Sequence, residues 1–246
     1  QPRQFGVVDV DDLGAGGQRG QGEAAENDQL AHGSLLNQYL LIIVGRLRCR
    51  SFSGIIHPFA SSLMALKSTV FKAEVQVADL DRQHFGDYTL TLARHPSETD
   101  ERMMIRLLAF ILNASETLVF GRGLSTEDEA DLWDLDATGS IERWIDVGLP
   151  DEKAIRRACN RSRHVFVLSY GGRGADIWWQ QNAPKLANQK NLRVLSLTAD
   201  EGQALAALAE RNMRLQCTVQ DGVVWLGDDK QHLELTPKIL FAPDLA

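Results

Sequence analysis

The segment from His164 to Tyr170 contains VFVLSY, apolar on both alternations of an extended chain. Side chains of a strand point alternately to opposite faces, so a strand that is apolar on both must be covered on both. The segment reads as an inner strand of a sheet with further layers on each side. Its surroundings fit that demand. Ala130 to Leu135 and Ile141 to Val147 read as two strands joined by the turn Ala-Thr-Gly-Ser, and Pro150 opens a helix to about Asn160. A Gly-rich turn then leads to a helix carrying Trp178 and Trp179, and Leu192 to Leu197 reads as another strand.

Different patterns bound this middle region. Val70 to Val77 alternates with period two, and Tyr88 to Leu92 does so again across LDRQHFGD, which predicts an opening hairpin. In HPSETDERMMIRLLAFILNASE, Pro96 and Ser97 with acidic residues after them mark a helix start. Met103, Met104, Leu107, Leu108, Ile111 and Leu112 follow at helical spacing, as a core-facing stripe. Thr117 to Gly121 reads as a short strand. Thr198 with Glu201 forms a capping box for a helix through Arg211, and Met213 to Gln220 pairs through Asp221-Gly222 with Val223 to Gly227. The expected class is α/β or α+β, with a mixed central sheet flanked by helices and hairpins at both ends.

Residues 1–63 have a different character, with no Lys, Trp or Met and nine of the twenty glycines. The apolar run Leu35 to Val44 falls short of the roughly 20 residues a membrane-spanning helix needs, and an acidic, polar stretch precedes it. Residues 1–63 are expected to be upstream read-through or a misassigned start, with Met64 as the true one; the alternative is a disordered tail. Residues 64–246 are expected to form a single domain.

The chain carries a formal charge of −7, which argues against an indiscriminate nucleic-acid coat and leaves room only for local basic patches. Cys159 and Cys217 are the only cysteines after residue 64, too few for a disulfide framework or a zinc site, so a reducing cytoplasm is the expected compartment and no membrane partner is expected.

The region from Asp128 to Arg163 concentrates the chemistry. Glu142, Trp144, Asp146 and Gly148 share one strand face, opposite Ile141, Arg143, Ile145 and Val147. A neighbouring strand can set Asp131 or Asp134 beside Asp146, and spacing does not choose between them. Close carboxylates repel, and a bound Mg²⁺ or Mn²⁺ relieves the repulsion; solvated strand-face residues are the plainer reading. In the next helix Lys153, Arg156, Arg157 and Arg161 form one face, suited to phosphate contacts or simply to the helix dipole. Trp178 with the amides after it can stack a base or anchor its helix on the sheet, and anchoring is the default.

Four segments carry a family likeness: RHPSETDERMMIRLLAFIL (Arg94 to Leu112), LWDLDATGSIERWIDVGLPDEKAIRRAC (Leu132 to Cys159), DIWWQQN (Asp176 to Asn182) and LQCTVQDGVVWL (Leu215 to Leu226). Together they resemble the YaeQ family of bacterial proteins, and the resemblance spans residues 64–246. It implies a compact variant of the PD-(D/E)XK restriction-endonuclease-like fold. By that likeness Glu98 is the helix acid, Asp131 the strand acid and Asp146 the second carboxylate, with Glu142 in reserve, gathering Mg²⁺ or Mn²⁺ to activate water. The motif's Lys is replaced by Gly148, and Lys153 is the residue able to supply an ammonium from a shifted position. The expected activity is metal-dependent phosphodiester hydrolysis. The alternatives are a non-catalytic module that grips nucleic acid or a protein partner in transcription or repair, through Arg156, Arg157 and Arg161, and a structural remnant with no activity.

Overall fold

The structure is a computed structural model, and it describes residues 68–121 and 129–243 together with the backbone of residues 3–5. Two six-stranded mixed sheets organise it, where the sequence predicts one central sheet. Strand β1 (Arg3–Phe5) lies parallel to β3, with Arg3 opposite Tyr88; the rest of residues 1–63, and the expectation placed on them, lie outside the described residues. Strands β2 (Thr69–Asp79) and β3 (His84–Arg94) form the opening hairpin, in unbroken register from Thr69 opposite Arg94 to Asp79 opposite His84. The closing hairpin, β9 (Asn212–Gln220) and β10 (Val223–Gly227), joins it because β9 pairs in parallel with β2, and β11 (His232–Leu235) completes that sheet. The alternating strands thus collect in one sheet with one apolar face. That face carries Phe71, Ala73, Val75, Leu90, Leu92 and Leu215, all buried.

The second sheet has the order β12-β8-β7-β6-β5-β4. Its members are β4 (Leu118–Phe120), β5 (Leu132–Leu135), β6 (Ile141–Val147), β7 (Ser162–Ser169), β8 (Leu192–Ser196) and β12 (Lys238–Phe241). Strands β6, β7 and β8 run parallel, and β7 is buried continuously from Val165 to Ser169, as its two-sided apolar pattern requires.

Helix α1 (Asp100–Leu112) shares the first core with both sheets, so every residue from Met103 to Ile111 is buried. The sequence shows only a stripe; the rest of the helix is buried in a core that also holds residues remote in sequence, Ile145 and Phe166 among them. Its N-cap is Thr99, two residues beyond the predicted start, and the Thr99 hydroxyl accepts the Arg102 N–H. No basic residue lies in its last turn. Arg82 donates instead to the carbonyls of Ile111 and Ala114, and Arg143 to that of Asn113, placing cations at the negative end of the helix dipole. Helix α4 (Ala199–Ala207), opened by the predicted Thr198–Glu201 capping box, packs against α1.

A second core covers the other face of β6 to β8. Helices α2 (Glu152–Arg161) and α3 (Arg173–Leu186) close it with Ile155, Ala158, Trp178 and Leu186 against Trp144, Val165 and Val167. Cys159 and Cys217 are both free and buried. Among the described residues no helix is long and apolar enough to cross a membrane.

Candidate functional site

Antiparallel pairing of β5 with β6 sets Leu132 opposite Ile145 and Trp133 opposite Trp144. One step further along that register, Asp131 faces Asp146, which settles the choice that sequence spacing leaves open. Asp134 is directed elsewhere, paired with Arg143 at 2.9 Å and accepting the Ser115 hydroxyl. The Asp131 carboxylate accepts the Val147 N–H at 2.8 Å, and Asp146 accepts the indole N–H of Trp144 at 2.9 Å. Burial, reinforced by the negative charge of Asp131, pushes the Asp146 carboxyl up to about 7.

Helix α1 brings Glu98, just before its N-cap, to the same place. It also brings two residues absent from the sequence-derived set. The Arg102 guanidinium donates to both oxygens of Asp131 at 2.7 and 2.9 Å and to Oε1 of Glu98 at 3.0 Å. Arg106, only 1 % exposed, donates to Oε1 and Oε2 of Glu98 at 2.7 and 2.8 Å and to the Ala93 carbonyl. The signal was present in the sequence: Glu98, Arg102 and Arg106 lie at i, i+4 and i+8, one face of a helix.

This arrangement bears on the expected Mg²⁺ or Mn²⁺. Such ions take near-octahedral oxygen donors at about 2.0–2.1 Å and repel a guanidinium competing for the same lone pairs. Each carboxylate oxygen of Glu98 and Asp131 already accepts at least one N–H, and Arg102 lies between the two groups. Among the described residues, no three His, Cys, Asp or Glu side chains are grouped to hold a metal ion. With Arg102 and Arg106 in these positions, the donor set does not fit a resident divalent cation.

The other sequence-derived residues are distributed around this centre. Glu142 lies four residues before Asp146 on β6, about 13 Å away along an extended strand, and is paired with Arg163 at 3.4 Å. Gly148, which the sequence resemblance sets where a Lys is expected, adopts φ 109°, a backbone conformation that side chains rarely tolerate and that favours glycine. Lys153 is exposed on α2. Arg156 is ion-paired with Glu152 and donates to the Lys185 carbonyl at 2.6 Å, while Arg161 lies over the Trp144 ring at 5.3 Å. Trp178 is not a stacking platform: it is 9 % exposed, and its indole N–H donates to the Pro150 carbonyl, which anchors α3 to the turn after β6.

Two mixed sheets around a helix buried from Met103 to Ile111, with an arginine-neutralised carboxylate cluster beside β5 and β6, define an α+β protein of one particular class. The family described as YaeQ protein matches residues 64–237, and the chain belongs to that family. It is 51% identical over 172 residues to the uncharacterized protein YaeQ of Escherichia coli (strain K12), covering 70% of this chain and 95% of that one. The crystal structure of the YaeQ protein from Xanthomonas axonopodis pv. citri matches with a TM-score of 0.70 at 49% identity, over 72% of this chain and 99% of that one. That of the YaeQ protein from Pseudomonas syringae matches with a TM-score of 0.68 at 34% identity, over 71% and 97%.

Proposed function

We propose that this chain binds nucleic acid through the solvent side of α2 and does not cut it with a resident metal. The observation that carries the reading is the basic surface of α2 and its surroundings in a chain of net charge −7. Lys153, Arg156 and Arg161 are exposed there, Arg163 follows at the start of β7, and the Arg156 contact to the Lys185 carbonyl brings α3 alongside. Such a stripe neutralises backbone phosphates without reading sequence. The carboxylate centre supports the non-catalytic half of the reading, because its charge is compensated internally and the motif Lys is absent at Gly148. A restriction-endonuclease-like ancestry accounts for the carboxylates, with the helix and strand acids retained as a structural cluster.

The test is fluorescence anisotropy of the full chain with labelled DNA and RNA across a salt series, alongside a cleavage assay in Mg²⁺ and Mn²⁺. Affinity is expected to fall with salt, and the Lys153→Ala/Arg156→Ala pair is expected to reduce the logarithmic slope by about 1 per lost phosphate contact. Cleavage dependent on the added metal, or binding indifferent to both salt and the substitutions, defeats the reading.

A further inference from the structure

A second charged feature lies at the opposite end of the parallel strands. The β6, β7 and β8 registers set Arg143 opposite His164 and Phe166 opposite Arg193, so Arg143, His164 and Arg193 share one face of the sheet. They line a cavity of about 240 Å³ together with Asn113 at the end of α1, Asn191 and Pro243. This volume is below the roughly 300–1,000 Å³ of a drug-sized ligand site, so the cavity takes a small ligand or one terminal group of a larger one.

Charge in this cavity is unevenly compensated. Arg143 is paired with Asp134 and caps α1, and the imidazole of His164 lies 3.9 Å from Glu142. Nearby, Arg82 is paired with Asp79 at 2.6 Å, which leaves that carboxylate engaged. Arg193, whose side chain is partly exposed, has no carboxylate within ion-pair distance among the described residues; partial desolvation and the charge of Arg82 lower its proton affinity, against the opposing charge of Asp79. A guanidinium at a cavity beside other cationic groups, with no carboxylate ion-paired to it, is suited to recognise an oxyanion.

We infer that the cavity between Arg143, His164 and Arg193 is an oxyanion site that takes a phosphate group, with Arg193 as its principal ligand. A tetrahedral oxyanion accepts hydrogen bonds from several directions at once, as donors on three neighbouring strands require. The phosphate comes either from a free phosphate or from the terminal phosphate of a nucleic acid. The inference is independent of the α2 reading, since the residues are different.

Titration of inorganic phosphate into the full chain by calorimetry tests it, with Arg193→Ala, Arg193→Lys and the α2 pair Lys153→Ala/Arg156→Ala. Arg193 sits at an exposed position of β8, and its removal should leave the fold intact, checked by an unchanged thermal transition. Saturable phosphate binding is expected, weakened at least tenfold by Arg193→Ala, partly restored by Arg193→Lys and unchanged by the α2 pair. A 5′-phosphorylated oligonucleotide that binds more tightly than its unphosphorylated form, with the difference lost in Arg193→Ala, identifies a nucleic-acid end as the source; equal binding of the two assigns the site to free phosphate. Absence of phosphate binding, or binding that Arg193→Ala leaves unaltered, overturns the inference while leaving the α2 reading standing.

Discussion

Arg102 and Asp131 are joined by one guanidinium nitrogen that reaches both carboxylate oxygens, at 2.7 and 2.9 Å. The contact ties α1 to the start of β5, and through the Val147 N–H bonded to Asp131 it reaches β6 as well. A carboxylate held this way has an orienting and charge-balancing role that does not require a metal.

Glu98 should behave as a structural residue. It is the anion of Arg106, which is 1 % exposed within the core between the sheets. Removing one partner of a buried pair leaves an uncompensated charge and costs about 3–5 kcal/mol. Glu98→Gln is therefore expected to lower the stability of the chain by about that amount in urea denaturation. A loss under about 1 kcal/mol would place Glu98 in a solvated, replaceable role.

Asp146 should give stability a pH dependence of unusual sign for a carboxylate. Its pKa in the folded chain is raised from 3.8 to about 7, so the folded state holds a proton that the unfolded state has released. Stability then falls as pH rises from about 4 to about 7 and is constant beyond. The total is on the order of 4 kcal/mol at about 1.4 kcal/mol for each tenfold change in proton affinity. Asp146→Asn is expected to flatten that fall and to be more stable than the parent chain at pH 8. Parallel pH profiles for the two proteins would remove Asp146 as the source.

Gly148 should resist replacement by Lys. At φ 109° a side chain is strained, and Gly148→Lys is expected to cost about 1–3 kcal/mol in stability. Metal-dependent cleavage gained by that variant without loss of stability would mean that the backbone there is freer than its conformation indicates.

Trp178 separates anchoring from binding. Trp178→Ala opens the second core and removes the bond to the Pro150 carbonyl, at an expected cost of about 3–5 kcal/mol. Nucleic-acid affinity measured on the folded fraction should be unchanged. A selective loss of affinity at full stability would make Trp178 a contact residue after all.

Local periodicity made the hairpins, the inner strand β7 and the capping box at Thr198 legible in the sequence, because each depends on neighbours within a few residues. The division into two sheets was not legible, since it depends on the parallel pairing of β2 with β9, whose residues are far apart in the chain. Strands β11 and β12, at four residues each, are too short to leave a period. At the site, Glu98, Asp131 and Asp146 stand out in the sequence as acids alone. The meaning of the cluster changes with Arg102 and Arg106, whose helical spacing from Glu98 was visible and whose reach to Asp131 was not.

In the carboxylate cluster Arg102 occupies the place of a cation. The most direct test is calorimetric titration of Mg²⁺ and Mn²⁺ into the full chain, Arg102→Ala and Asp146→Asn. No saturable binding is expected for the parent chain or for Asp146→Asn, and binding is expected to be gained in Arg102→Ala, where Asp131 and Asp146 lie together without the guanidinium. Saturable one-site binding by the parent chain that Asp146→Asn abolishes would contradict that role of Arg102 and restore the carboxylates as metal ligands.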